Sequence, residues 1–103
     1  MTSTARDHLV AVGAGAVAAN VVPHLAHGIA NSPFPTPFAD PPGVGDSSPG
    51  LNVLWATMNA AGAAALLYAA RTKLSTPRYW MVFGVGAAGA SMGLRTYFRG
   101  VRG

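Results

Sequence analysis

Asn20, His24 and His27 are the residues of this 103-residue chain best placed to do chemistry. At about 100 degrees per residue, a helix through them puts all three within roughly 60 degrees of one face. Imidazole binds zinc, copper or haem iron, and it titrates near neutral pH, so metal, haem and proton chemistry all come under consideration. Two histidines three residues apart are only part of a tetrahedral set, and Asp40 or Asp46 would add oxygen only by folding back towards them. Neither an HExxH nor a CxxCH pattern is present. With no cysteine in the chain, disulfides, thiol catalysis and sulfur-ligated metals are excluded. Ser32, Ser47 and Ser48 have aspartates and histidines in the same sequence, yet no GxSxG turn orders them for nucleophilic attack. The plainer use of His24 and His27 is interfacial hydrogen bonding. The residues therefore predict no metal-ligand set and no enzyme, and they identify no cofactor.

Whatever these residues do, membrane-length segments position them. Half of the chain is apolar and a tenth is charged. Between Leu9 and Ala70 the only charged residues are Asp40 and Asp46. A soluble domain of this size exposes most of its surface and needs more charge to solvate it. The expected fold is an all-α integral membrane protein, one membrane domain over 1–103. Its three transmembrane helices take in about 7–27, 50–70 and 79–98, joined by a Pro/Gly-rich ordered loop over 28–49. Pro23 removes a backbone donor and predicts a kink in the first helix. Ser48-Pro49 supplies a cap and a first helical residue for the second, and Thr76-Pro77 starts the third. Tyr79-Trp80 and Tyr97-Phe98 sit where two aromatic belts would lie. Asn59 falls near mid-span of the second helix, and Ser91 and Arg95 form an i,i+4 pair on the third. A competing account makes the first segment a signal peptide cleaved after Ala30, with Gly28 and Ala30 at the required spacing.

The helices are rich in alanine and glycine. Gly89-xxx-Gly93, Gly86-xxx-Ala90, Ala56-xxx-Ala60-xxx-Ala64 and Gly15-xxx-Ala19 would let backbones approach closely in lipid. Three such helices bury little bulk, which favours a homo-oligomer or a larger membrane complex. Net charge +4 does not indicate nucleic acid, because six of the seven basic residues flank or end the spans, where lipid phosphates lie. The short Arg71-Lys73-Arg78 connection argues for a cytoplasmic position, and the loop, free of basic residues, for the outside. That puts the N-terminus in the cytoplasm, against a weak opposing bias from Arg95, Arg99 and Arg102.

The loop itself has internal order. Residues 31–50 hold six prolines and two aspartates. Pro33, Pro35 and Pro37 favour extended backbone, Asp40-Pro41-Pro42-Gly43 signals a turn, and Phe34 and Phe38 have helix ends or the membrane interface to rest on. A stiff connector, a lid over the His24–His27 end and a docking surface all remain open. Val22-Pro23-His24, Gly28, Pro33-Phe34-Pro35-Thr36-Pro37-Phe38 and Pro41-Pro42-Gly43-x-Gly45-x-Ser47-Ser48 together resemble a group of small multi-pass bacterial inner-membrane proteins of unknown function. The resemblance covers roughly Asn20 to Trp55. It implies a bacterial inner-membrane setting and a loop that acts as a unit, with no reaction, cofactor or partner attached. The function expected is that of a non-enzymatic small membrane subunit or structural partner. The alternatives are a component of a solute or proton transporter, or a metal- or haem-binding membrane protein.

Overall fold

A computed structural model describes residues 3–102. Three helices carry the fold: α1 (Ser3–Ile29), α2 (Pro49–Ala69) and α3 (Pro77–Arg102). Helix α1 is the middle of the three and packs along both others, which share little with each other. The bundle measures 41 × 23 × 22 Å, longer than the roughly 30 Å hydrocarbon core of a bilayer.

The helix ends follow from local chemistry. Helix α1 runs unbroken through Pro23 and stops in a Schellman motif: Asn31 takes a left-handed φ of 55°, Ser32 N–H donates to the His27 carbonyl at 2.9 Å, and Asn31 N–H donates to Gly28 at 3.2 Å. Ser48 caps α2 as expected, its Oγ accepting from Leu51 N–H at 3.1 Å, with Pro49 as the first helical residue. At the far end the Arg71 guanidinium donates to the Tyr68 carbonyl at 3.1 Å and lies over the Tyr68 ring. A 3-10 turn over Arg71–Lys73 then leads to α3, which begins at Pro77.

Between α1 and α2 the loop is more than a connector. Its two short strands, β1 (Phe34–Pro35) and β2 (Asp46–Ser47), pair antiparallel with Phe34 opposite Ser47. The Thr36 carbonyl collects the N–H groups of Ala39 at 3.1 Å and Gly43 at 2.8 Å, and that of Pro41 collects Val44 and Gly45. Asp40-Pro41 is a cis peptide bond and Gly43 has a φ of 71°. A proline-restricted, turn-rich segment thus folds back on itself and satisfies its own backbone.

Small residues set how close the helices come. A Cβ on Gly15 would strike the Phe83 carbonyl, and one on Gly86 would strike the Val12 carbonyl, so α1 and α3 meet backbone to backbone there. On α2 the buried stripe is Asn52, Ala56 and Ala63, at helical spacing. The expected small-residue patterns are thus used in part: Gly15, Gly86 and Ala56 lie in contacts, whereas Ala60 and Ala64 are exposed and a Cβ on Gly89 or Gly93 would meet nothing. The aromatic pairs split as well. Adjacent residues point about 100 degrees apart on a helix. Tyr79 is therefore buried while Trp80 is exposed, and Phe98 turns inward while Tyr97 faces out.

Large apolar side chains lie on the outside. Leu9, Val22, Ile29, Met58, Val85 and Met92 are all exposed, while the buried set is largely alanine with Phe34, Tyr79 and a few polar residues. Two helices are long and apolar enough to cross a membrane, Ala5–Ile29 with a mean hydropathy of 1.7 and Pro49–Ala69 with 1.3. Helix α3 has the length but carries Arg78, Arg95, Arg99 and Arg102.

Candidate functional site

The loop end of the bundle is organised by Asn52, which is wholly buried. Its amide nitrogen donates to the carbonyls of Phe34 at 3.0 Å, Ser48 at 3.1 Å and Ser47 at 3.3 Å. Its amide oxygen therefore faces His24, whose Nδ1 lies 2.8 Å away. Because that oxygen only accepts, His24 Nδ1 carries the proton and donates it, which fixes the ring's tautomer when neutral. One side chain thus joins α1, both strands and the start of α2. A burial this complete is tolerable because both ends of the amide have partners.

Aromatic rings close the space around this network. Phe34, itself buried, stacks on His27 with ring centres 3.8 Å apart and leans on Phe98 of α3 at 4.5 Å. His24 meets the edges or faces of Phe34, Trp55 and Phe98 in T-shaped arrangements at 5.6, 6.4 and 6.2 Å. His27 Nδ1 donates to the Pro23 carbonyl at 2.6 Å. The loop is held to α3 by three further contacts: Tyr97 Oη donates to the Gly43 carbonyl at 2.7 Å, Arg102 pairs with Asp46, and Arg102 also donates to the Pro33 carbonyl at 3.2 Å. Within the loop, the Thr36 and Ser47 hydroxyls bond each other at 2.5 Å. The result is a folded cap pinned to all three helices.

The residues singled out by sequence fall into three groups. His24, His27 and Phe34 come together, with Phe38 beside them on Trp55 at 5.5 Å. Asn20 and Asn59 pair with each other deeper in the bundle, Asn20 Nδ2 donating to Asn59 Oδ1 at 3.1 Å, while Asn59 Nδ2 returns to the Trp55 carbonyl at 2.8 Å. The remaining three go elsewhere. Asp46 is taken by Arg102, Asp40 is exposed with its carbonyl against Gly45, and Arg95 lines a groove beside Ser91 without bonding it. Neither aspartate folds back to the histidines, and among the described residues no three histidine, aspartate or glutamate side chains gather as metal ligands would. Asn52 is the residue sequence reasoning missed. Its signal was available: an amide four residues after a Ser-Pro cap, in an otherwise apolar first turn and a half of α2.

Two grooves flank α1. The larger, about 940 Å³, opens between α1 and α3, with Ala19, Val22 and Leu94 among its walls and Arg95, Arg99 and Arg102 towards one end. The smaller, about 470 Å³, has Asn20 and Asn59 among its lining, with Gly93 and Leu94 from α3. A scan against protein-family models gave no match for this chain, and searches of curated proteins and of solved structures gave none either.

Proposed function

We propose that this chain is a non-enzymatic subunit or structural partner in a bacterial inner membrane, crossing it three times and presenting a rigid cap on the outer side. The observation that carries this reading is the distribution of side chains: the polar groups of the helices face one another as His24–Asn52 and Asn20–Asn59, while leucine, valine and methionine face out. In water that arrangement would expose a large apolar surface without return; in lipid it is the favourable one. Helix α3 completes the set because its arginines lie near its ends or snorkel from Arg95. Helix α1 belongs to the working unit in this reading, because both other helices pack on it. The cytoplasmic N-terminus and the outer loop follow from the basic 71–78 turn and from a cap whose own residues include no lysine or arginine.

A passive role fits the commitments of the reactive groups. Ser47 is bonded to Thr36, Ser48 caps α2, and His24 is held by Asn52, so each is spent on structure. Open space beside Gly89 and Gly93 suits close approach by another helix, of a second copy or of a larger complex. A transport component is the second reading, favoured by the Asn20–Asn59 pair opening onto the smaller groove. Native mass spectrometry of detergent-purified protein, with solute flux in liposomes, separates the two for His24→Ala, His27→Ala and Asn20→Ala. Loss of assembled species from a parent that conducts nothing supports the subunit. Flux in the parent, lost in a variant that still assembles, overturns it.

A further inference from the structure

The larger groove has a chemistry that the capped loop does not use. Its walls are apolar, and Val22 at 67% exposure leaves it open sideways, towards lipid if the helices span the membrane as proposed above. Along α3 it presents Arg95, Arg99 and Arg102. Arg102 is committed to Asp46, the Pro33 carbonyl and the face of Phe34. Arg95 and Arg99 are not: among the described residues neither has a carboxylate or hydrogen-bond partner. They stand one helical turn apart, a spacing at which like charges repel. The chain has three acidic residues, and among the described residues none of them pairs with either arginine. Asp46 is taken, Asp40 lies exposed in the loop, and Asp7 pairs with Lys73 at the other end of the bundle at 3.8 Å.

We infer that the groove between α1 and α3 is a binding site for one anionic phospholipid, its phosphate held by Arg95 and Arg99 and an acyl chain laid along Ala19, Val22 and Leu94. A volume of about 940 Å³ lies within the range of small-molecule sites. Phosphate suits the pair because a guanidinium offers two parallel N–H groups to two of its oxygens. Arg95 lies about 10 Å deeper than Arg102 along the helix, so the headgroup enters below the cap rather than resting on it. Ser91, one turn deeper again, places a hydroxyl where the ester linkages of such a lipid would run.

This assignment rests on the membrane reading, and the test keeps the two apart. The full chain is extracted from membranes, and retained lipid is counted by native mass spectrometry after exchange into phosphatidylglycerol or phosphatidylcholine of identical acyl chains. The expected result is one retained phosphatidylglycerol, favoured about thirtyfold over phosphatidylcholine, as two near-surface cation contacts imply. Arg95→Gln with Arg99→Gln should remove the preference, and Arg71→Gln with Arg78→Gln at the opposite end should leave it. Leu94→Trp, which fills the groove without touching charge, should lower retention of both lipids. Circular dichroism on each variant checks that the helices persist, and the wild-type preference stands as a test by itself if a variant fails to fold. Equal retention of the two lipids, equal loss in both arginine pairs, or displacement of the retained phosphatidylglycerol by inorganic phosphate would overturn the site while leaving a detergent-dependent protein in the membrane. A chain that needs no detergent would overturn the membrane reading itself.

Discussion

The two ends of the bundle are held together by different physics. At the loop end, specific partners do the work: Asn52 satisfies four groups, Phe34 is wedged between His27 and Phe98, and Arg102 straps the cap to α3. Towards the far end the helices are held by nearness. Ala11 and Ala14 are wholly buried, Gly15 and Gly86 bring backbones into contact, and the polar Tyr79 hydroxyl is buried without a hydrogen-bond partner among the described residues. The first arrangement tolerates no loss of a partner but some change of volume. The second tolerates no added volume and has few partners to lose.

The sharpest way to break that contrast is to add bulk where backbones touch. Gly15→Val or Gly86→Val should cost about 3 kcal/mol or more, since the obstructing atoms are carbonyls that move only if α1 and α3 part. Unfolding in detergent, followed by circular dichroism, reads this directly. Gly84→Val, facing open space, is the matched control and should change stability by well under 1 kcal/mol.

The next effect tests the loop end. Asn52→Leu keeps the number and branching of side-chain heavy atoms but strands the His24 N–H and leaves three carbonyls without their side-chain donor, of which the Phe34 carbonyl matters most. It should cost about 2 kcal/mol and expose the 31–47 segment to limited proteolysis, while Gly15 and Gly86 packing survives. A cap that stayed protease-resistant would remove Asn52 from the centre of this account.

Smallest are the surface ion pairs. Lys73→Gln breaks an exposed contact with Asp7 at 3.8 Å and should shift stability by less than about 0.5 kcal/mol. Arg102→Gln loses more, up to about 1 kcal/mol, because the same guanidinium also reaches the Pro33 carbonyl and the Phe34 ring. Thermal melts of the two variants side by side measure the difference.

The same contrast explains what could be read without coordinates. Signals that act over a few residues were legible: Ser48-Pro49 and Pro77 start helices where such residues do, and the charge-free runs are helical. Asn20, His24 and His27 do turn one face towards α2 and the loop, as their spacing implies. What depended on chain returning from a distance was not legible. The β1–β2 pair joins residues separated by a dozen positions through a proline-containing strand of two residues, too short for any alternation to register. Asn52 becomes a hub only once that pair brings Phe34 and Ser47 back over the start of α2. Gly15 and Gly86 looked no different from Gly89 and Gly93, because which glycine meets a neighbour is decided by helix crossing and not by the motif. The tyrosine of Tyr79-Trp80 was assigned to a belt for a similar reason: a pair in sequence is a divergence on a helix.

The central claim is that apolar side chains on all three helices face lipid while polar groups pair inside. It is tested most directly by spin labels at single cysteines replacing Val12, Met58 and Val85, one exposed site on each helix of a chain with no native cysteine. In reconstituted vesicles, the account predicts that relaxation by oxygen exceeds relaxation by a water-soluble nickel chelate at all three sites. Chelate-dominated relaxation, above all at position 85 on α3, would contradict it.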